Sequence, residues 1–138
     1  MERVEGFCLV ALLGLLAVVS PAAAGEGVSG AAADLVMKQI ALLRAHDFTS
    51  AYALVSRELR RTFTRNEYEW MVKRAHPEVA SSAHAYVVRT REAPGFVYVT
   101  VKVLGRNGRH VEALYEIVRE GDAFRVNALS TRRDEGVI

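Results

Sequence analysis

Four histidines, five tyrosines, one tryptophan and a single cysteine are the side chains through which this chain could do chemistry or hold a ligand. His46, His76, His84 and His110 are dispersed, and none has a second ligand type at binding spacing on a shared helix face, so no metal centre is indicated. There is no phosphate-cradling glycine loop and no G-x-S-x-G elbow, and the one thiol, Cys8, lies in the N-terminal apolar run. No cofactor is implied. What remains is a set of hydroxyls and one imidazole that could line an apolar pocket: Tyr52 and Tyr68 from helical segments, and His84, Tyr86, Thr90 and Tyr115 from strands. A tyrosine so placed is either a core residue with a satisfied hydroxyl or a hydrogen-bonding anchor. His84, near a strand start, is either a partly exposed surface residue or the rim of a pocket. Trp70 stands more than a quarter turn off the apolar stripe of its helix with Arg74 at i+4, which is the arrangement of a Trp–Arg stack or of an anchor for a protein partner.

Those side chains need a scaffold, and the stretch from Phe96 to Leu129 supplies most of it. Three runs, FVYVTVKVL, RHVEALYEIV and AFRVNAL, are separated by Gly105-Arg106-Asn107-Gly108 and by Gly121. Alternating β-branched and aromatic residues bounded by Gly and Asn predict an antiparallel meander. The apolar sets Val97, Val99, Val101, Val103 and Val111, Ala113, Tyr115, Ile117 must share a face, which pairs Val103 with Val111 and Val99 with Tyr115. A two-residue Asn107-Gly108 turn would place Glu112 opposite Val103, among the valines. The cost of that buried charge selects a three-residue loop of Arg106, Asn107 and Gly108, with Gly108 left-handed as a bulge. In the second gap a loop of two or four residues around Glu120 and Gly121 sets Ile117 against Phe124 and Tyr115 against Val126. The inner face then continues through Phe124, Val126 and Ala128. Outside, Lys102 faces Glu112 and Glu116 faces Arg125, on a wet face or a polar interface. An earlier strand, Ala83 to Arg91, joined by a four-residue loop from Glu92 to Gly95, points His84, Tyr86, Val88 and Thr90 inward.

Ahead of the meander the pattern is helical. Ala31 to Ala45 carries Val36, Ile40 and Leu43 on one stripe with Met37 beside it. Asp47 fits an N-cap, followed by a short helix with Phe48, Ala51, Tyr52 and Val55 on one face. Leu59 and its basic neighbours carry the chain across to a third helix. Thr64 and Glu67 form its capping box, Phe63 and Tyr68 a hydrophobic staple, and Tyr68, Met71, Val72 and Ala75 its buried stripe. Pro77 stops it.

Composition and the N-terminus bound the class. The chain has 138 residues, 51% hydrophobic and 25% charged, with a net charge of +2, which suits one globular domain. Phe7 to Val19 is apolar, Arg3 precedes it and Ser20-Pro21-Ala22-Ala23-Ala24 follows. This predicts an export signal over residues 1–24, cleaved after Ala24; an uncleaved membrane anchor is the alternative. Residues 25–30 read as a flexible lead-in, 31–130 as one domain and 131–138 as a polar tail. A chain cleaved there enters an oxidising compartment, the periplasm or the exterior, without a cysteine and relies on its core. Arg57, Arg60, Arg61 and Arg65 cluster without interleaved aromatics, so nucleic-acid binding is not supported.

Three helices followed by four antiparallel strands make an α+β arrangement. Through DLVMKQIALLRAHDFTSAYALVS, FTRNEYEWMVKRAHP and ALYEIVREGDAFRV, the chain resembles the nuclear transport factor 2-like superfamily, in which helices close over a strongly curved sheet to form a cone; its ketosteroid isomerase-like and SnoaL-like members are included. The middle segment is similar to that of exported bacterial domains of unknown function. Enzymes of the superfamily place an Asp or His inside the cone, where an apolar pocket tunes its pKa. On the register above no Asp or Glu from the last three strands points inward. The expectation is therefore a non-catalytic exported domain that binds a small apolar ligand or an envelope protein. A small isomerase or dehydratase working through His84 and the tyrosines is the alternative. A homodimer packed through the outer sheet face is compatible with either.

Overall fold

The computed structural model describes residues 27–134. The proposed signal over 1–24, with Cys8, lies outside them. Among the described residues five helices precede four strands: α1 (Gly27–Arg44), α2 (Phe48–Tyr52), α3 (Arg57–Thr62), α4 (Arg65–Ala75), α5 (Pro77–Ala80), β1 (Ser82–Ala93), β2 (Phe96–Gly105), β3 (His110–Glu120) and β4 (Ala123–Arg133). The strands form one antiparallel sheet in chain order. The architecture is α+β, with two more helices than the expected three. No helix among the described residues is long and apolar enough to cross a membrane.

The central strand pair follows the valine rows. Val103 pairs with Val111, Val101 with Ala113 and Val99 with Tyr115. The Gly108 N–H donates to Gly105 O at 3.0 Å, and Gly108 adopts φ 85°, as a turn closed by a left-handed glycine requires. Gly105 is needed for a different reason: a Cβ there would lie 2.7 Å from Asn107 Oδ1, 2.8 Å from Glu78 Cγ and 3.0 Å from Glu78 Cα. Glu78 is buried against this turn and accepts a hydrogen bond from Asn107 Nδ2 at 3.0 Å.

The outer strands depart from expectation through bulges and shorter turns. The β1–β2 loop is the two residues Pro94-Gly95 and not the four from Glu92 to Gly95, so Thr90 pairs with Val99 and Glu92 with Val97. Glu92 thereby leaves the turn and reaches the rim, accepting from Ser29 Oγ at 3.1 Å. A bulge between Val87 and Arg89 then shifts the register, so that Ala85 pairs with Val103 while His84 and Tyr86 pair with Leu104 and Lys102. One inserted residue exchanges the faces of a strand. His84, Tyr86 and Val88 are therefore exposed, and Ala85 and Val87 take the inner positions. The β3–β4 loop has the expected two residues but at Gly121-Asp122, which sets Ile117 against Val126 and Arg119 against Phe124. A bulge at Asn127 follows, Tyr115 pairs with Leu129, and Ala128 turns out to solvent. Glu116 pairs with Ala128 in place of Arg125, and accepts from Asn127 Nδ2 at 2.8 Å. Lys102 does oppose Glu112, yet its ammonium sits 3.3 Å from Asp134 while Glu112 takes Arg132 at 2.7 Å. Thus 131–133, expected as tail, belong to β4.

The helices close on the inner face because each presents one apolar stripe. Ala32, Val36, Ile40 and Leu43 of α1 are fully buried, and α1 packs across β1, β2 and β4. It begins at Gly27, within the expected lead-in. At its other end the Arg44 guanidinium donates to Ser82 O and Oγ at 3.0–3.1 Å, tying the helix to the start of β1. Asp47 caps α2 by accepting from Ser50 N at 3.0 Å. Val55 leaves the helix and bridges Val126 in parallel, with Ser56 N donating to Val126 O at 2.8 Å. Ser56 then caps α3, a helix that the basic run concealed. Both hydrogen bonds of the Thr64–Glu67 capping box are present. Ala75 is exposed, so the buried stripe of α4 ends at Val72. Pro77 ends α4 and also opens α5, where the first position suits proline.

Candidate functional site

Among the described residues, four separate segments line an apolar cavity. It measures about 290 Å3 and is lined by Gln39 of α1, Leu59 of α3, Phe63, Tyr68, Met71 and Val72 at and along α4, His76, and Val126 to Leu129 of β4. Each side chain is placed by a local feature. The capping box of α4 sets its first turn and delivers Tyr68 inward, 4% exposed. Tyr52 packs on it with ring centroids 5.5 Å apart and donates its hydroxyl to Phe63 O. Gln39 is buried and held by its Nε2, which donates to Ala51 O at 3.1 Å. His76 ends α4 in a non-helical conformation, with Nδ1 3.0 Å from Thr131 Oγ1. The β4 bulge is stabilised from outside the strand: Ser56 Oγ donates to Asn127 Oδ1 at 2.7 Å.

No Asp, Glu, Lys or Arg lines this cavity. Four other cavities among the described residues each contain at least one such charge: Glu92 and Arg119 at the Pro94-Gly95 end, Arg89, Glu112 and Arg132 on the outer sheet face, Lys102 and Asp134 beside His84, and Glu78 with Arg109 beside Pro77. Burial raises the pKa of Tyr68, so its hydroxyl stays protonated. Burial raises Tyr115 as well, with Tyr68 adding a smaller push. Burial lowers His76, against the opposing pull of the Glu78 carboxylate. The cavity therefore presents neutral hydrogen-bonding groups in an apolar wall.

His76 gives the fold a signed pH response. Its folded pKa lies below the unfolded one, so the unfolded chain binds the proton first and stability falls as pH drops below about 6.5. His76→Gln is expected to remove that component. Urea midpoints of the two proteins should converge on acidification from pH ~7.5 towards ~5. An unchanged difference across that range would assign the acid response to other groups.

The structure brings together only part of the expected site. Of the tyrosines only Tyr68 lines the cavity, with Tyr52 packed against it; Tyr115 does not line it, being fully enclosed with a hydroxyl that has no hydrogen-bond partner among the described residues. His84 and Tyr86 lie on the outer face with rings 5.9 Å apart, away from the cavity, because of the β1 bulge. Trp70 is 61% exposed with the Arg74 guanidinium 4.9 Å over its ring, as a Trp–Arg stack. Gln39, His76 and Asn127 were missed. Gln39 had a signal, being a polar residue between Val36 and Ile40 on an otherwise apolar stripe. His76 precedes a proline, which disfavours helical backbone and turns the residue out of α4. Asn127 had none, since only the bulge makes it line the cavity.

The family described as Domain of unknown function (DUF4864) matches residues 30–137. No curated protein matches. Among solved structures, a de novo designed β-sheet protein of the cystatin fold is 18% identical, with 58% of this chain and 99% of that one aligned at a TM-score of 0.36.

Proposed function

The chain belongs to the family described as Domain of unknown function (DUF4864), and within that frame we propose that it is an exported, non-catalytic domain that holds a small apolar molecule. The observation that carries this reading is the uncharged cavity of about 290 Å3 among Leu59, Phe63, Met71, Val72 and Leu129. An apolar wall with a few convergent polar groups is what small-molecule sites share. The non-catalytic part is supported by a lining without a carboxylate; the histidine on that lining, His76, has its Nδ1 tied to Thr131 Oγ1, and His84 is exposed. Export is supported by the apolar run from Phe7 to Val19 and the small residues after it. The finer placement in the nuclear transport factor 2-like cone is supported by helices preceding a four-stranded meander and by bulges in β1 and β4, which bend strands.

The test uses the full chain produced in a Gram-negative host and recovered from its exported fraction. Its N-terminus is expected at Gly25; retention of Met1 would favour the membrane anchor. Propylbenzene, an uncharged apolar probe, is expected to raise the melting temperature of that protein, by an amount that grows with probe concentration. Met71→Trp, which puts a larger side chain on the partly buried cavity wall, should abolish the shift. No shift, or one that Met71→Trp leaves intact, would remove this cavity as the binding site.

A further inference from the structure

We propose that the occupant of this cavity is an uncharged molecule carrying a hydroxyl group, a phenyl-sized or short-chain alcohol, bound through Tyr68 and Gln39. The inference rests on the ligand-binding reading above and names the chemical class. Size comes first. A volume of about 290 Å3 stands at the lower edge of the ~300–1,000 Å3 typical of ligand pockets, which limits the body to one ring or a short chain.

Charge comes next. A carboxylate or ammonium brought against Tyr68 and Gln39, the buried part of the wall, would lose water there with no Asp, Glu, Lys or Arg among the lining side chains to pair with it. Fatty acids and amines are disfavoured on that ground. The cavities elsewhere on the molecule, each holding charged side chains, lack this selectivity.

The polar groups then specify the head group. Tyr68 is buried on the cavity wall, and its hydroxyl makes no hydrogen bond among the described residues, leaving a donor available. Gln39 donates one Nε2 hydrogen to Ala51 O, which fixes the amide and leaves its Oε1 as an acceptor beside one remaining N–H. Asn127 is committed at both ends, accepting from Ser56 and donating to Glu116. A ligand hydroxyl can accept from Tyr68 and donate to Gln39 at once, whereas an ether or ketone can only accept. His76, with Nδ1 3.0 Å from Thr131 Oγ1, lines the same space.

The experiment compares three probes by calorimetry on the full chain: 2-phenylethanol, its methyl isostere propylbenzene, and 3-phenylpropanoate. In the wild type 2-phenylethanol is expected to bind about tenfold or more tightly than 3-phenylpropanoate. Tyr68→Phe should weaken 2-phenylethanol by about five- to tenfold, the size of one hydrogen bond, and leave propylbenzene within about twofold, which also reports that the variant is folded. The methyl ether of 2-phenylethanol, which can accept but not donate, should bind the wild type more weakly than the alcohol. If propylbenzene binds but the alcohol is insensitive to Tyr68→Phe and no better than its ether, the hydroxyl assignment is overturned while the cavity reading stands. Tighter binding of 3-phenylpropanoate overturns the assignment as well, and binding by none of the probes overturns both.

Discussion

Tyr115→Ala is expected to lower the unfolding free energy by about 3–5 kcal/mol, the range for emptying a large aromatic from a packed interior, while Tyr115→Phe is expected to be neutral or mildly stabilising. The contrast isolates one atom. The Tyr115 ring is fully buried on the inner face, paired with Val99 between the valine rows. Its hydroxyl, however, is sealed from solvent without a hydrogen-bond partner among the described residues. Burying an unpaired hydroxyl costs about 1–3 kcal/mol, and replacing it with hydrogen removes that cost at the expense of a small void. Thermal unfolding would read the phenylalanine variant as unchanged or a few degrees higher. A loss of more than about 1 kcal/mol on going to phenylalanine would instead reveal an ordered water bound to the hydroxyl, of the kind that satisfies buried polar groups.

Leu43→Ala is expected to cost about 2–5 kcal/mol, and Leu42→Ala much less. The two residues are neighbours of the same type on the same helix, so propensity and unfolded-state effects cancel between them. What differs is facing: Leu43 is 0% exposed on the stripe that covers the sheet, whereas Leu42 is only partly buried. Urea denaturation should show the Leu43 midpoint falling well below that of Leu42→Ala with little change in slope. Equal costs would mean that α1 does not present the stripe Val36, Ile40 and Leu43 to the sheet.

That stripe was readable in the residues alone, as were the Thr64–Glu67 capping box, the Asp47 cap and the pairing of Val103 with Val111. Each is decided within a few residues by a strong local preference: a helical period, a side-chain oxygen near free N–H groups, or a glycine taking φ above zero. The site was less legible. Of the expected residues only Tyr68 lines the cavity; Tyr52 and Tyr115 do not, His84 and Tyr86 stand on the outer face, and Gln39 and His76 are not among the expectations. The β1 face assignment failed through an extra residue near Val88, while the two-residue turn in place of four moved the pairing by two positions and left the faces unchanged. Neither leaves a mark in the alternation of Ala83 to Arg91, because both faces of that strand carry apolar residues.

Taken by itself, the amino-acid sequence determined the α+β class, the helix-then-meander order and the face shared by the two central strands. Alternation and turn chemistry act between near neighbours, and putting carboxylates among valines is expensive enough to select one register. Only the tertiary structure decided where the outer strands bulge. The stabilising contacts there join distant parts of the chain, as when Ser56, 71 residues away, donates to Asn127 at the β4 bulge, or Val55 bridges Val126. A bulge reverses every side chain beyond it, so those distant bonds settled which groups look into the cavity and left its wall free of charge.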